Sequence, residues 1–413
     1  MIEYSIHTLP NGLRIVHNYD PSTCHVVLDT LYNVGARDES PELTGMAHLF
    51  EHLMFGGSVN VPDFDGAVET AGGTDNAWTS NDFTNFYTVV PAANVETAFW
   101  VESDRMLSLA FTPESLEVQR KVVMEEFKQT CLNRPYGDMA HRLRRLLYTT
   151  HPYRWPTIGK ELAHIDKVTL RDVRDFFFSH YAPNNAVLAV SGPVDESRVL
   201  QLSEKWYGDI PRRDIAPRIN LPEPPITEAR RETVECDVPQ TRITIAMLMD
   251  AADDPDYRVA DLITDILASG QSARFNRDLV MGSDIFTAAD AGISGSEEQG
   301  FIRFAGALRS NDPASLEKAE RMIWRQLDRL RSEDVAEHEM QRALNRFESN
   351  RTFSQINYLN RASQLARSVM TGRDINSETV LYRQITPADI RRVASRLFRP
   401  SGSATLIYRP RTL

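Results

Sequence analysis

The stretch His48-Leu49-Phe50-Glu51-His52 places two imidazoles and a carboxylate within little more than one helical turn. Residues four apart on a helix lie on one face, with Cβ atoms roughly 5–6 Å apart, so both histidines can bind one tetrahedral Zn²⁺. On a helical wheel the apolar neighbours fall on the opposite side: Met46, Leu49, Phe50 and Leu53. Three solvated residues give the same pattern by chance in some chains, so a metal site needs a third ligand.

A second helix is predicted downstream to supply that ligand. Thr112 can cap a helix whose first residue is Pro113, a position that favours proline, and the pattern continues to about Lys128. Its predicted buried stripe consists of Leu116, Val122, Val123 and Phe127.

Glu126 falls in the middle of this stripe, whereas Glu125 falls at its edge. A carboxylate directed into an apolar stripe is costly unless it is paired or binds a metal. Glu126 is therefore the preferred third ligand, and Glu125 is assigned to the surroundings of the site. A shift in the helical register would exchange the two glutamates.

These residues together resemble the inverted-zincin signature of the pitrilysin/insulinase peptidase family, which includes the mitochondrial processing peptidases. Further segments follow the family's order: Asn11–Val16, Gly35–Glu39, Gly45–His48 and Gly72–Ala77. The resemblance implies that His48, His52 and Glu126 bind one zinc ion per chain and that Glu51 is the catalytic residue that activates water. One departure is Gln119, because many members carry an acidic residue there.

The chemistry of these residue types fits peptide hydrolysis. Three protein ligands leave a fourth position for water, whose pKa falls towards about 7 on zinc. A carboxylate beside it can take the proton and return it to the leaving amine. The chain is therefore predicted to be a zinc metalloendopeptidase; a non-peptidase hydrolase using the same metal is a weaker alternative.

A peptide-binding strand is also predicted. Gly72-Gly73 precedes the run Asn76–Ser80, and a second run, Phe83–Val90, is rich in aromatic and β-branched residues. The pattern fits an ordinary hairpin equally well. In the resembled family this strand is a sheet edge to which an extended peptide adds as a further strand. The resemblance thus implies that Gly73, Asn76 and Ala77 bind substrate.

The composition limits the classes of partner. The formal net charge of −11 and the pI near 5.5 argue against nucleic-acid and anionic-membrane partners. Three scattered cysteines indicate free thiols in a reducing compartment. The N-terminus shows no signal-peptide pattern and the chain no transmembrane-length apolar run. The expected compartment is the cytoplasm, or the periplasm if a leader was removed.

The two halves of the sequence also share an apolar pattern. The segment Ala47–Met54 can be laid over Ala260–Leu267, where the apolar positions survive and the candidate ligands do not. We therefore predict an α+β fold of two homologous domains, each with helices packed on a mostly antiparallel sheet. The predicted division is a metal-binding catalytic domain at 1–215, a proline-rich linker at 216–232 and a non-metal domain at 233–413.

A partner chain is predicted from what the second half lacks. In the resembled family an Arg and a Tyr of the non-metal half, located after a Ser-x-Arg sequence, complete the substrate site. Here the segment is Ser272–Leu279, and the expected positions hold Met281 and Thr287, although a small gap would make Arg277 or Phe286 relevant. We therefore expect a heterodimer with a metal-free sister subunit that supplies the Arg/Tyr pair, rather than a homodimer.

The family also contains members without catalysis, so the competing hypothesis is a silent binding or assembly subunit. The intact ligand set favours the active peptidase.

Overall fold

The computed structural model describes residues 1–411 of the 413-residue chain. The chain is 47% helical and 19% strand, which confirms the predicted mixed fold. It divides into two compact units. The first unit contains Met1–Lys128, Trp155–Ile219 and Arg351–Glu378; the second contains Gln129–Arg154, Asn220–Asn350 and the chain from Thr379 onward.

The strands, in chain order, are β1 (Ser5–Thr8), β2 (Arg14–Tyr19), β3 (His25–Tyr32), β4 (Thr74–Thr79), β5 (Thr84–Pro91), β6 (Ala186–Gly192), β7 (Arg230–Cys236), β8 (Arg242–Leu248), β9 (Phe286–Ser294), β10 (Phe301–Leu308) and β11 (Ser403–Pro410). The helices are α1 (Met46–Leu53), α2 (Phe64–Thr70), α3 (Val95–Leu107), α4 (Pro113–Phe127), α5 (Met139–Leu147), α6 (Leu162–Asp166), α7 (Leu170–His180), α8 (Glu196–Tyr207), α9 (Pro255–Ala268), α10 (Pro313–Ser332), α11 (Glu337–Ile356), α12 (Tyr358–Thr371), α13 (Glu378–Arg383) and α14 (Pro387–Leu397).

The first unit is built on a six-stranded sheet of order β1-β2-β6-β3-β5-β4. All pairings are antiparallel except β2 with β6. Every residue of β6 is buried, as expected for a strand covered on both faces. Helix α12 packs on the central strands through Ala362, Leu365 and Ala366. Strand β4 is left at the edge of the sheet, and α1 packs beside it.

The second unit is built on a five-stranded sheet of order β7-β11-β8-β10-β9, in which only the β7–β11 pairing is parallel. Helices α9, α10 and α14 contribute to its main core. A separate cluster places Leu143 and Leu147 of α5 against Ala246 of β8 and Leu406 of β11. This order repeats that of β2-β6-β3-β5-β4, so the duplicated fold is confirmed.

Each unit contains one helix that comes from the other half of the chain: α12 in the first unit and α5 in the second. The predicted boundaries at 1–215, 216–232 and 233–413 concern the order along the chain and stay a prediction. All three cysteines are free thiols. Within residues 1–411, no helix has both the length and the apolar character needed to cross a membrane.

Candidate metal centre

Helix α1 carries the two histidines, and it is oriented as the wheel predicts. Its apolar residues are at most 5% exposed, whereas His48, Glu51 and His52 are partly exposed. The helix begins after Gly45, whose φ of +89° is in the left-handed region that favours glycine. The polar residues therefore face away from the core of the first unit.

The start of α1 is held by the buried carboxyl group of Glu39, in the loop that precedes the helix. Glu39 accepts hydrogen bonds from the backbone N–H groups of Gly45 and Ala47, each at 2.9 Å. Burial raises the pKa of Glu39 to about 8. Free N–H groups at a helix start need such acceptors. The segment Gly35–Glu39, noted above only for its resemblance, thus supports the metal-site helix.

Helix α4 spans Pro113–Phe127, and the Thr112 side chain accepts a hydrogen bond from Ser115 N at 3.1 Å, as predicted. Leu116, Val123 and Phe127 are buried. The prediction that Val122 is buried is wrong, because this side chain is 45% exposed. Val122 lies one turn before Glu126, on the helix face directed towards the histidines rather than the core. The buried stripe is therefore narrower than the wheel indicates.

The three candidate ligands converge. Glu126 Oε2 lies 3.6 Å from His48 Nε2 and 3.5 Å from His52 Nε2. The candidate ligand atoms of the three residues all lie within 4.8 Å of one another. Ligands about 2.0–2.2 Å from a tetrahedral Zn²⁺ stand roughly 3.3–3.6 Å apart, so the residues fit this ion.

The protonation states also suit a cation. Burial lowers the pKa of His48, which favours the neutral imidazole with a free lone pair. The pKa of Glu126 is lowered, chiefly by its hydrogen bond with His52, which favours the carboxylate. Two imidazoles and one carboxylate form a donor set typical of catalytic zinc.

The two residues predicted to surround the ligands lie on the same helix as Glu126. Glu125 points away from the histidines: its side chain is 54% exposed and accepts a hydrogen bond from Lys128 Nζ at 3.4 Å. Gln119 is partly exposed, two turns before Glu126. The geometry thus agrees with the preference for Glu126 over Glu125, while the roles of both surrounding residues stay predictions.

Glu51 lies on the same face of α1, and its Oε2 accepts a hydrogen bond from Thr79 Oγ1 at 2.6 Å. Thr79 is the last residue of β4. The sequence placed Thr79 in the predicted strand region, but it gave no sign that the hydroxyl meets Glu51. Thr79 and Glu39 are the two site residues that sequence analysis missed.

The predicted peptide-binding strand is β4, which forms a hairpin with β5 and lies at the sheet edge. Gly73 precedes it, and a Cβ there would stand 2.6 Å from Val89 O, so glycine is required. Asn76 is exposed and Ala77 partly exposed. The hairpin and edge-strand interpretations are thus both correct descriptions of this segment.

The segment predicted to lack the Arg/Tyr pair begins at Ser272 in the second unit, and both of its arginines form ion pairs. Arg274 is buried and pairs with Glu339 at 2.7 Å, and Arg277 pairs with Asp278 at 2.6 Å. Met281 is 75% exposed, whereas Phe286 is buried. Thr287 Oγ1 donates to Ala307 O at 3.2 Å.

Comparison with known proteins places this geometry in context. Residues 14–151 match the family model described as insulinase (peptidase family M16), and residues 167–347 match the peptidase M16 inactive domain. Zinc protease PqqE of Helicobacter pylori is 28% identical over 416 residues, spanning 98% of this chain and 92% of that protein. The beta subunit of the mitochondrial-processing peptidase of Saccharomyces cerevisiae is 27% identical, spanning 61% and 55% of the two chains.

Solved structures agree with the sequence relatives. The crystal structure of a protease from Helicobacter pylori superposes with a TM-score of 0.92 at 26% identity, covering 99% of this chain and 100% of the other. Pitrilysin matches with a TM-score of 0.79 at 15% identity, covering 99% of this chain and 45% of its own. The pitrilysin match shows the fold alone.

Proposed function

The chain belongs to the M16 peptidase family, and on that premise we propose that it is a zinc-dependent endopeptidase subunit that hydrolyses extended peptides. The observation that carries this proposal is the convergence of His48, His52 and Glu126, with their candidate ligand atoms within 4.8 Å of one another and Glu51 on the same helix face.

The proposed metal ligands are His48 Nε2, His52 Nε2 and one carboxylate oxygen of Glu126. Three protein ligands leave a position for water or substrate, as catalytic sites require. When bound, zinc supplies a Lewis acid that activates water and polarises the scissile carbonyl.

Glu51 is the proposed general base. Its carboxylate lies on the same helix face as both histidines, yet it is not part of the converging donor set. It would take a proton from the attacking water and return it to the amine that leaves, which is the usual division of labour for a carboxylate beside a zinc site. Thr79 donates to Oε2 of Glu51, so Oε1 is the oxygen free for this transfer.

The substrate is proposed to bind as an added strand on β4. The outer edge of β4 is unpaired within the sheet of the first unit, and this strand also carries the residue that contacts Glu51. Backbone hydrogen bonds to an edge strand need an extended partner and tolerate many sequences. Gly73, Asn76 and Ala77 are the proposed contact residues along this edge, and unfolded peptides are the expected substrates.

We further propose that a metal-free sister subunit completes the substrate site. In the second unit, Arg277 pairs with the adjacent Asp278 at 2.6 Å, and Phe286 is buried and has no hydroxyl, so this segment supplies no counterpart of the Tyr. Mitochondrial-processing peptidase beta is by its name one subunit of a larger enzyme. The competing hypothesis, a silent assembly subunit, lacks an observation that favours it over the active peptidase.

The test combines metal analysis with cleavage of unstructured and folded substrates. The purified chain, alone and with a candidate sister subunit, is expected to hold one zinc ion and to cleave an unfolded casein-type polypeptide but not a stably folded domain. A chelator should abolish cleavage, and added zinc should restore it. A chain that binds no zinc, or cleavage that persists in chelator, would overturn the proposal.

A further inference from the structure

The candidate base Glu51 is held from one side by a hydroxyl of the sheet edge. Thr79 Oγ1 stands 2.6 Å from Glu51 Oε2, within the range of about 2.5–2.7 Å typical of hydrogen bonds to a charged oxygen. A hydroxyl can donate only one proton. Thr79 therefore restrains Oε2 of Glu51 and makes no such bond to Oε1.

Thr79 is fixed by its own backbone surroundings. It pairs with Thr84 at the closed end of the β4–β5 hairpin. In the connecting turn, Ser80 Oγ accepts from Asp82 N at 3.2 Å and from Phe83 N at 3.0 Å. Ser80 O also accepts from Ala36 N at 3.1 Å. The Thr79 hydroxyl thus projects from the last residue of a paired strand, next to a hydrogen-bonded turn.

Side chains along β4 alternate between a partly buried face and an exposed face. Thr79 shares a strand face with Asp75 and Ala77, all partly buried, whereas Asn76 and Trp78 are on the exposed face. Successive side chains of a strand point to opposite faces. A peptide paired along the edge of β4 would therefore bind to the same rigid element that orients the base.

We infer that Thr79 is a positioning residue for Glu51, which links the peptide-binding edge strand to the catalytic carboxylate. This inference rests on the proposed function. Its physical basis is preorganisation: a base held at a fixed orientation towards a substrate bound on the same strand loses less free energy in reaching the transition state. The Thr79 hydroxyl lies outside the converging set of His48, His52 and Glu126, and its proposed role is exerted through Glu51.

The second unit lacks this arrangement at the matching place. Thr264 occupies the position of Glu51 in the repeat, and its hydroxyl donates to Asp261 O of its own helix at 2.8 Å. The hydrogen bond from the end of β4 to a carboxylate of α1 thus occurs in the unit that carries the candidate base, Glu51.

The decisive variants are Thr79→Val, which keeps the β-branched shape and removes the hydroxyl, and Thr79→Ser, which keeps the hydroxyl. Thr79→Val is expected to lower kcat by about 10- to 100-fold with KM within about twofold, because a hydrogen bond to a charged group is lost. Thr79→Ser is expected to retain kcat within about threefold. Thr233→Val, an exposed threonine on the edge strand β7, serves as the matched control and should equal the wild type.

A second readout does not depend on turnover. In the Glu51→Gln background, the Kd of a fluorescent uncleaved peptide and the zinc content should be unchanged by Thr79→Val. The inference is overturned if Thr79→Val keeps wild-type kcat, if Thr79→Ser loses as much as Thr79→Val, or if the loss is in peptide affinity or zinc. Failure of the proposed function is distinguishable, since it appears as full activity of Glu51→Gln or as an inactive, metal-free wild type.

Discussion

The two units use the same strand order but place different chemistry on corresponding helices. Helix α1 of the first unit presents His48, Glu51 and His52, whereas α9 of the second presents Asp261, Thr264 and Asp265 at the matching positions. The candidate metal site thus depends on side chains carried by one copy of a shared fold.

In the second unit these side chains serve internal contacts. Asp261 Oδ2 accepts a hydrogen bond from Tyr382 at 2.7 Å, and Asp265 lies 3.8 Å from Arg346. An arginine beside the carboxylate supplies the positive charge that a metal would supply in the first unit. The side chains at the corresponding place therefore take part in contacts within the protein.

The two helices also begin differently. The α9 start has a local cap, in which Asp254 accepts from Asp256 N at 2.8 Å ahead of Pro255. The N-cap residue of α1, Gly45, makes no side-chain cap, and the N–H groups of Gly45 and Ala47 are bound by the buried Glu39 of the preceding loop. The start of α1 is therefore held by a side chain of the preceding loop, whereas the start of α9 is held by its own N-cap residue.

The strongest test of the difference between units is removal of the ligands. His48→Ala, His52→Ala or Glu126→Gln should reduce bound zinc from one per chain to nearly none and abolish activity, because each removes one of three protein ligands. Metal analysis after dialysis measures this loss. Asp265→Ala, at the matching place in α9, should leave zinc bound, as should Glu125→Gln. Loss of zinc in Glu125→Gln with retention in Glu126→Gln would reverse our assignment.

The next effect concerns the partner. If a sister subunit supplies the missing Arg and Tyr, its addition should raise kcat by roughly 10²- to 10³-fold, the value typical of preorganised transition-state donors. Peptidase assays paired with light scattering would measure the rate and the mass of the active species. A second copy of this chain is the control and should give no increase. Strong activity from a single chain or homodimer would refute the prediction.

The third test asks whether Glu51 acts as the general base rather than as a metal ligand. Glu51→Gln should keep zinc and lower kcat by at least about 10²-fold, because the amide cannot accept the proton from water. Thr264→Val, the matching position in α9, should have wild-type kcat. Full activity of Glu51→Gln with zinc bound would exclude Glu51 as the base.

A smaller effect is expected from pH through Glu39. Burial raises the pKa of this carboxyl to about 8, so between its ordinary value of 4.5 and about 8 the folded chain keeps a proton that the unfolded chain releases. The free energy of unfolding therefore decreases as pH rises through that window, because the stabilisation from the proton bound by folded Glu39 is lost. Glu39→Gln should lack this decline, as measured by urea unfolding at several pH values. Equal slopes in both proteins would contradict the prediction.

The smallest expected effect is on stability, from the N-cap of α9 in the second unit. Asp254→Ala should lower the free energy of unfolding by about 0.5–2 kcal/mol, the usual cost of losing a helix N-cap. Zinc content and kcat should stay at wild-type values, as measured by chemical denaturation together with metal analysis. Loss of zinc in this variant would show that the two helices are not independent.

Much of the site could be predicted because its signals are local. The face of α1, the Thr112 cap of α4 and the preference for Glu126 all follow from helical periodicity over short stretches. The prediction that Val122 is buried failed because a helical wheel gives the direction of each side chain around the helix axis. It does not show how much of the helix surface the core covers. The exchange of α5 and α12 between the two halves was not predicted, since apolar periodicity does not name the sheet a helix will cover.

The sequence by itself determined the ligand types, their helical spacing, the strand-rich hairpin and the repeat, because each depends on residues that are close along the chain. Tertiary structure alone decided that Glu126 meets the histidines of another helix and that Thr79 restrains Glu51. These contacts join elements from different parts of the chain. Their geometry is set by how helices and strands pack in three dimensions, and local patterns carry no information about that packing.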